Sequence, residues 1–110
     1  MKLDAKDRII IQGILPSRGN ILKLQIIKEI SEKIELSPKE RETIKMRAEG
    51  EMVFWDDKPA SGLVKEIDLT QPELELLNET IRKAESEEAV TMVQLPTVLK
   101  IRDAATSKKT

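Results

Sequence analysis

The stretch that decides the fold class is residues 44–55, IKMRAEGEMVFW, where the spacing of the apolar side chains changes. Apolar and charged residues alternate up to Glu49, Gly50 follows, and an apolar run returns as far as Trp55. Alternation is typical of a β-strand, and a glycine between two such runs is typical of a tight turn. The stretch therefore predicts a β-hairpin inside a chain whose other apolar patterns are helical.

Two helices are predicted before the hairpin. Asp4 is a candidate N-cap for a helix that ends near Leu15, and the breaking sequence PSRGN follows it. Asn20 is a candidate N-cap for a second helix that reaches Ile34. The apolar side chains of this second helix cover an arc of roughly 200°, wider than a single-face stripe. We therefore expect it to be a central helix, packed on two sides.

Two capping boxes mark further helices. Ser37-Pro38-Lys39-Glu40 predicts a short helix at 38–43, and Thr70-Gln71-Pro72-Glu73 predicts a longer one that ends within 85–88. A last helix is expected to start between Thr91 and Pro96.

The remaining segments complete the predicted architecture. Residues 56–62 are interpreted as a loop, and the alternation over 64–69 predicts a third short strand. The sum is an α+β fold, with four or five helices packed on a small antiparallel sheet of two or three strands. We expect one globular domain over residues 1–103 and a flexible, small and polar C-terminal tail over 104–110.

Composition excludes several classes of chemistry. The chain has 110 residues, with neither cysteine nor histidine. It therefore lacks the usual ligands of zinc, copper, haem and iron–sulfur clusters, and every imidazole base. We predict no catalytic residues, no cofactor and no metal site. The acidic pair Asp56-Asp57 and the glutamates of 73–88 are interpreted as solvated side chains.

Charge and hydropathy limit the partners. With 19 basic and 20 acidic residues the formal net charge is −1, although residues 1–50 are net basic and residues 51–110 net acidic. Such a balance argues against a nucleic-acid partner. Apolar runs fall short of the roughly 20 residues of a membrane span, and charges follow Met1 closely. We expect a cytoplasmic protein with no membrane partner.

The strongest candidate for a binding surface is the strand Met52-Val53-Phe54-Trp55. Alternation places Met52 and Phe54 on one face and Val53 and Trp55 on the other, so both faces are apolar. Helices of a small domain can cover one face, and the second face predicts a partner interface anchored by Trp55. The alternative is that the loop around Pro59 covers Trp55 within the same chain.

Two basic segments are weaker candidates. Arg18, Gly19, Asn20 and Lys23 surround the expected start of the second helix, where free amides and the helix dipole favour an anion. The alternative is an ordinary helix connection capped by Asn20. The run 39–47 contains four basic residues, interrupted by two glutamates and without stacking aromatics, which is more typical of a solvated face.

The order of these motifs is similar to that of a known group of proteins. Ile14-Leu15-Pro16, then Gly19-Asn20 with an aliphatic helix, then a hairpin with the lone tryptophan in Val53-Phe54-Trp55-Asp56, resembles small uncharacterised phage and prophage proteins over residues 1–103. The resemblance implies a viral or mobile-element origin and residence in the host cytoplasm. It implies no established activity.

The sequence thus predicts a phage-type accessory protein that acts without catalysis, binds a host or viral protein, and forms homo-oligomers. The alternative is a nucleic-acid or nucleotide-binding regulator that uses the Arg18/Lys23 turn or the 39–47 basic run. An enzyme that uses carboxylates ranks third.

Overall fold

The computed structural model describes residues 1–107, which form an α+β fold of six helices and two small antiparallel sheets. The helices are α1 (Ala5–Ile14), α2 (Ile21–Ile34), α3 (Pro38–Thr43), α4 (Asp57–Gly62), α5 (Gln71–Ser86) and α6 (Leu95–Ser107). The strands are β1 (Lys2–Leu3), β2 (Arg47–Glu49), β3 (Met52–Phe54) and β4 (Lys65–Glu66). The predicted fold class is confirmed.

Side-chain caps start four of the helices at the predicted residues. The side chains of Asp4, Ser37 and Thr70 each accept a hydrogen bond from the backbone amide three residues further on. The acidic side chain of that third residue in turn accepts a bond from the backbone amide of the cap residue. Asn20 accepts from the amide of Lys23. These bonds satisfy amides that a helix start leaves unpaired, so the caps fix where each helix begins.

The predicted hairpin is formed by β2 and β3, in which Ala48 pairs with Val53. Gly50 has a φ of +63°, a value that mirror-image hairpin turns require and that glycine adopts at little cost. The third predicted strand is present as β4, but it pairs with β1 rather than with the hairpin. Leu3, directly before the predicted cap Asp4, lies in β1.

The predicted loop at 56–62 is wrong, because most of this segment forms the short helix α4. Its N-cap Asp56 makes no side-chain capping bond, so the usual sequence signal of a helix start is weak here. Pro59 lies in the first turn, where its missing N–H costs no helical bond. Ala60 is buried, and this tertiary contact holds the helix in place.

Two apolar clusters form the interior. The main cluster joins the two ends of the chain, and its buried members are Leu3, Ile11, Ile30, Ile34, Ile67, Leu69, Leu74, Leu76, Leu77, Ile81, Val98, Ile101 and Ala105. The second cluster is built on the middle of the chain and on α1, from Ala5, Leu36, Ile44 and Ala60, with Ile9, Met46, Trp55 and Leu63 packed at its edge.

Helix α2 packs against both α1 and α5, as its broad apolar arc predicts. Ile30, in the middle of the arc, has no exposed surface, but Leu22 and Leu24 at its two edges are exposed. Near its C-terminal end α1 already lies beside the last turns of α2, because Gln12 hydrogen-bonds Ser31. Helix α1 therefore ends before it reaches the first turns of α2, which it leaves uncovered.

The predicted domain end at residue 103 does not coincide with the end of α6. Residues 104–107 continue the helix, and Ala105 is buried in the main cluster. This part of the predicted flexible tail is therefore wrong. The rest of that prediction, 108–110, lies outside the described residues.

Replacing Ile30 with alanine tests the position of α2. We expect Ile30→Ala to lower the free energy of unfolding by about 2–5 kcal/mol, because it leaves a cavity at a fully buried site. Ile21→Ala, in the same helix at a side chain that is 78% exposed, is the control and should change stability by less than about 0.5 kcal/mol. Equal losses in urea unfolding would contradict this placement.

Candidate functional site

A groove of about 580 Å³ lies between α1, the end of α2, α3 and the hairpin. Its exposed lining is mainly apolar, although five polar side chains take part. It consists of Arg8, Ile9, Gln12, Gly13, Ser31, Ile34, Glu35, Leu36, Arg41, Met46 and Val53. Val53 is the residue of the predicted interface strand that lines this groove, and Arg41 is the basic side chain of the run 39–47 that does so.

Arg8 holds the three helices around the groove. Its guanidinium has no exposed surface and donates to the backbone carbonyls of Ile34 (3.0 Å) and Glu35 (2.6 Å), where α2 ends. It also donates to both carboxylate oxygens of Glu40 in α3, at 2.7 and 3.3 Å. A planar guanidinium matches a carboxylate in this two-bond geometry. Arg8 thus caps α2 and anchors α3 with one side chain.

Glu40 takes part in two motifs at once. The carboxylate that accepts hydrogen bonds from Arg8 also accepts one from the backbone amide of Ser37, in the capping box of α3. The hydrogen bond from Arg8, with the bond from Ser37, lowers the pKa of Glu40 from 4.5 to about 2 against the opposing effect of burial. The wall of the groove is therefore anchored by a carboxylate that stays charged throughout the physiological range.

Glu40→Gln should destabilise the protein by about 2–3 kcal/mol near pH 7, because it leaves the buried Arg8 without its counter-charge. Glu42→Gln, at an exposed position of the same helix, is the control and should be nearly neutral. The pKa of Glu40 is lowered by folding, so the pair stabilises fully above about pH 4.5 and loses its effect as pH falls toward 2. Urea unfolding should therefore show the difference between wild type and Glu40→Gln shrinking over that window. A difference that is constant with pH would contradict the pairing.

The four residues of the predicted interface strand differ in burial. Met52 and Val53 are exposed, whereas Phe54 and Trp55 are partly buried. Trp55 packs at the edge of the second cluster, to which α4 contributes Ala60. Trp55 thus packs on the cluster that contains Ala60, the residue after Pro59, and its role in a partner interface stays a prediction. Met52 and Val53 are the members of the strand that remain available to a partner.

Trp55→Ala should lower the free energy of unfolding by about 2–4 kcal/mol, because a half-buried indole leaves its contacts with the second cluster. The Nε1 of Trp55 is buried and has no hydrogen-bond partner among the described residues, so Trp55→Phe removes an unsatisfied donor and should cost less. Thermal and urea unfolding measure both variants. A loss of association with unchanged stability would instead restore Trp55 as an interface anchor.

Gly13 is a site residue that the sequence analysis missed. It lies in α1 and lines the groove, and a Cβ built on it would have nothing within 4 Å. A glycine inside a helix costs about 0.5–1 kcal/mol relative to alanine. Neither packing nor backbone geometry requires glycine here, and its lack of a side chain widens the groove. An isolated glycine within a helical pattern was the available signal.

The candidate anion site at the start of α2 is only partly assembled. Arg18 and Lys23 line a cavity of about 310 Å³ together with Lys83 and Glu79 of α5. Gly19 lies under the Lys23 side chain, since a Cβ there would be 2.8 Å from its Cδ. Asn20 already caps the first turn of α2 by accepting from the amide of Lys23. With this cap and the carboxylate of Glu79 present, the geometry matches an ordinary helix connection.

The basic run 39–47 lies beside the groove. Lys39, Arg41, Lys45 and Arg47 are exposed, whereas Glu40 is already paired with Arg8. Arg47 is 3.3 Å from Asp56, and Arg41 is 3.9 Å from Glu35. Exposed pairs at such distances are weak and leave much of the positive charge available. Of these four side chains Arg41 lines the groove, where Glu35 of the same lining lies beside it.

Two buried carboxylates connect helices elsewhere in the molecule. Asp7 accepts hydrogen bonds from Thr97 and Lys100 of α6, and Glu73 accepts from Lys33 of α2. Burial raises the pKa of each carboxyl, but these bonds outweigh it, so both pKa values lie below the ordinary range. Each carboxylate links two helices.

Within residues 1–107 there is no group of three or more acidic side chains that would hold a metal ion.

Comparison of the chain with known protein families, with curated proteins and with solved structures finds no match. The resemblance to small phage and prophage proteins therefore stays a prediction. Across the described part of the chain, every helix is too short or too polar to cross a membrane.

Proposed function

We propose that the protein acts without catalysis, as a binding module that accepts a segment of another protein in the groove beside α1. The proposal follows the sequence prediction of a protein partner but moves the contact from Trp55 to the groove. Met52 and Val53 remain part of the surface, at the groove wall and beside it. A host or viral protein in the cytoplasm is the partner that the phage resemblance favours.

Gly13 is the observation that carries the proposal. Glycine weakens a helix relative to alanine, and Gly13 is the residue before the last one of α1. Here the space is not filled by any part of the described chain. An open apolar groove of about 580 Å³, kept open at a cost to the helix, is the kind of concave surface that binds a ligand.

The lining of the groove defines the occupant. Ile9, Leu36, Met46 and Val53 provide an apolar floor, which suits one or two aliphatic side chains. Arg41 and Glu35 lie beside that floor, so the lining offers one exposed charge of each sign. The matching partner is therefore a short peptide segment that carries one or two aliphatic side chains.

A nucleic-acid partner, the alternative from the sequence, has less support. Arg41 of the basic run is next to Glu35 in an apolar groove, and Trp55, which would have to stack on a base, packs on the second cluster. At the Arg18/Lys23 turn the helix amide is capped and Glu79 adds a negative charge. Neither basic segment has the free aromatic and continuous positive charge that single-strand binding uses.

Gly13→Gln separates binding from folding, because glutamine should strengthen α1 while its side chain fills the groove. We expect the variant to be more stable than wild type by about 0.5–1 kcal/mol. The probe is a peptide recovered from a displayed random library by selection on the wild-type protein. Its affinity, measured by calorimetry, should fall at least about tenfold, the equivalent of 1.4 kcal/mol.

Gly62→Gln is the matched control, since Gly62 also has nothing near its Cβ but lies outside the groove. It should bind the selected peptide as wild type does. Enriched peptides should carry aliphatic residues that fit the apolar floor. Peptides that bind Gly13→Gln unchanged, or a library that yields no binder, would overturn the proposal.

A further inference from the structure

Strand β3 forms an open edge of the hairpin. The hairpin sheet has two strands, so β2 pairs with one side of β3, and no strand of the described chain pairs with the other side. The open edge of a strand offers main-chain N–H and C=O groups to which a further extended segment can bond. This edge adjoins the groove, because Val53 of β3 belongs to the groove lining.

The register of the hairpin identifies the free main-chain groups. Glu49 and Met52 flank the turn and pair with each other, and residues in this position exchange two hydrogen bonds. Such bonds alternate along antiparallel strands, so the N–H and C=O of Val53, the next residue, point away from β2. No other group within residues 1–107 bonds to them. Val53 therefore presents a free donor and a free acceptor on the outer side of β3.

The two open edges of the hairpin differ in protection. The edge formed by β2 carries the exposed side chains of Arg47 and Glu49, and charges on an edge strand oppose the addition of another strand. Strand β3 reads Met52-Val53-Phe54, has no charge or proline, and keeps a regular register with β2. Of the two strands, β3 is also the one that contributes to the groove lining. The unprotected edge is therefore the edge next to the groove.

We infer that the partner segment binds in an extended conformation and adds to β3 as an antiparallel third strand. The peptide residue opposite Val53 exchanges two main-chain hydrogen bonds with it. The antiparallel direction continues that of the hairpin and gives the more stable kind of pairing. The inference rests on the proposed function and states how its peptide is recognised, by the main chain at the edge and by side chains in the groove.

Antiparallel pairing links the main chain of the peptide to its side chains. Residues that lie opposite each other on neighbouring strands direct their side chains to the same face of the sheet. The side chain of Val53 lines the groove, so the peptide residue opposite it also faces the groove. Side chains two positions before and after that residue point the same way, and those between them point away. The partner is thus a β-strand with aliphatic residues at alternate positions.

The edge and the groove are both needed for this contact. Strand β3 has three residues, so it offers few main-chain bonds. Affinity then depends on the aliphatic side chains that the groove accepts, and Gly13 leaves space for them in the same lining. The peptide residues that bond to β3 are therefore the residues that fill the groove.

Two scans of the peptide selected on the wild-type protein give the test. An N-methyl scan removes one main-chain N–H at a time, and an alanine scan removes one side chain at a time. By calorimetry, we expect residues two positions apart to lose at least about tenfold in affinity in both scans, and the residues between them less than about threefold. The sensitive residues should be the same in both scans, because the bonded residues also face the groove.

Val53→Pro tests the contact from the side of the protein. It removes the outward N–H of Val53 and no bond between the strands, because that N–H does not face β2. The selected peptide should bind at least about tenfold more weakly. Val53→Ala keeps the N–H and should bind more tightly than Val53→Pro, which separates the main-chain donor from the side chain. Urea unfolding shows whether each variant is folded.

Ala48→Pro is the matched control. Ala48 pairs with Val53 and points its own N–H to the outer side of β2, away from the proposed strand. This variant loses an equivalent donor and should bind the peptide as wild type does. The peptide scans use the wild-type protein, so they decide the question even where a proline variant fails to fold.

Three outcomes would overturn the inference. They are sensitive peptide residues spaced by three and four, as in a bound helix, a Val53→Pro variant that is folded and binds as wild type does, or a wild-type dimer that Val53→Pro dissociates. The last outcome would assign the edge to a second copy of the chain. Any of them, combined with binding that still needs the open groove at Gly13, would retain the binding module. A peptide that binds Gly13→Gln unchanged would instead reject the proposed function itself.

Discussion

Arg8 lies where α1 meets the end of α2 and the start of α3, and its guanidinium is fully buried there. It satisfies the carbonyls of Ile34 and Glu35, which the end of α2 would otherwise leave without partners inside the protein. The buried charge of Arg8 is tolerated because the carboxylate of Glu40 accepts two hydrogen bonds from its guanidinium. The positions of the three helices and the ion pair between Arg8 and Glu40 therefore depend on each other. Because these helices are held at fixed positions, a groove remains between them.

Buried charges perform the same task elsewhere in the molecule. Asp7 connects the start of α1 to α6, and Glu73 connects the start of α5 to α2. In each case the carboxylate first completes a capping box and then reaches a second helix. Since the chain has one phenylalanine, one tryptophan and no tyrosine, its core lacks large aromatic side chains that fix helix orientation by shape. Charged side chains at helix starts supply that orientation instead.

Local signals in the sequence predicted what local bonds determine. The caps at Asn20, Ser37 and Thr70 and the turn at Gly50 were placed correctly, because each depends on residues within three or four positions. Features that depend on distant partners were missed. Strand β1 pairs with a segment more than 60 residues away, and α4 has no capping bond. The groove combines five separate segments of the chain. The sequence identified Val53 as a candidate site residue but not Gly13, because only the fold determines which residues surround Gly13.

The main cluster unites the first 34 residues of the chain with residues 67–105, whereas the second cluster draws mostly on the residues between them. This arrangement imposes an order on folding during synthesis. When α1 and α2 leave the ribosome, Ile30 and Ile34 have only the partners that the first residues and α1 provide until α5 and α6 have been translated. The middle segment, with its hairpin and short helices, needs only α1 to close. The nascent chain therefore exposes apolar side chains of α2 through about half of its translation. Chaperones bind such exposed apolar segments, and premature association of the chain is most costly at this stage.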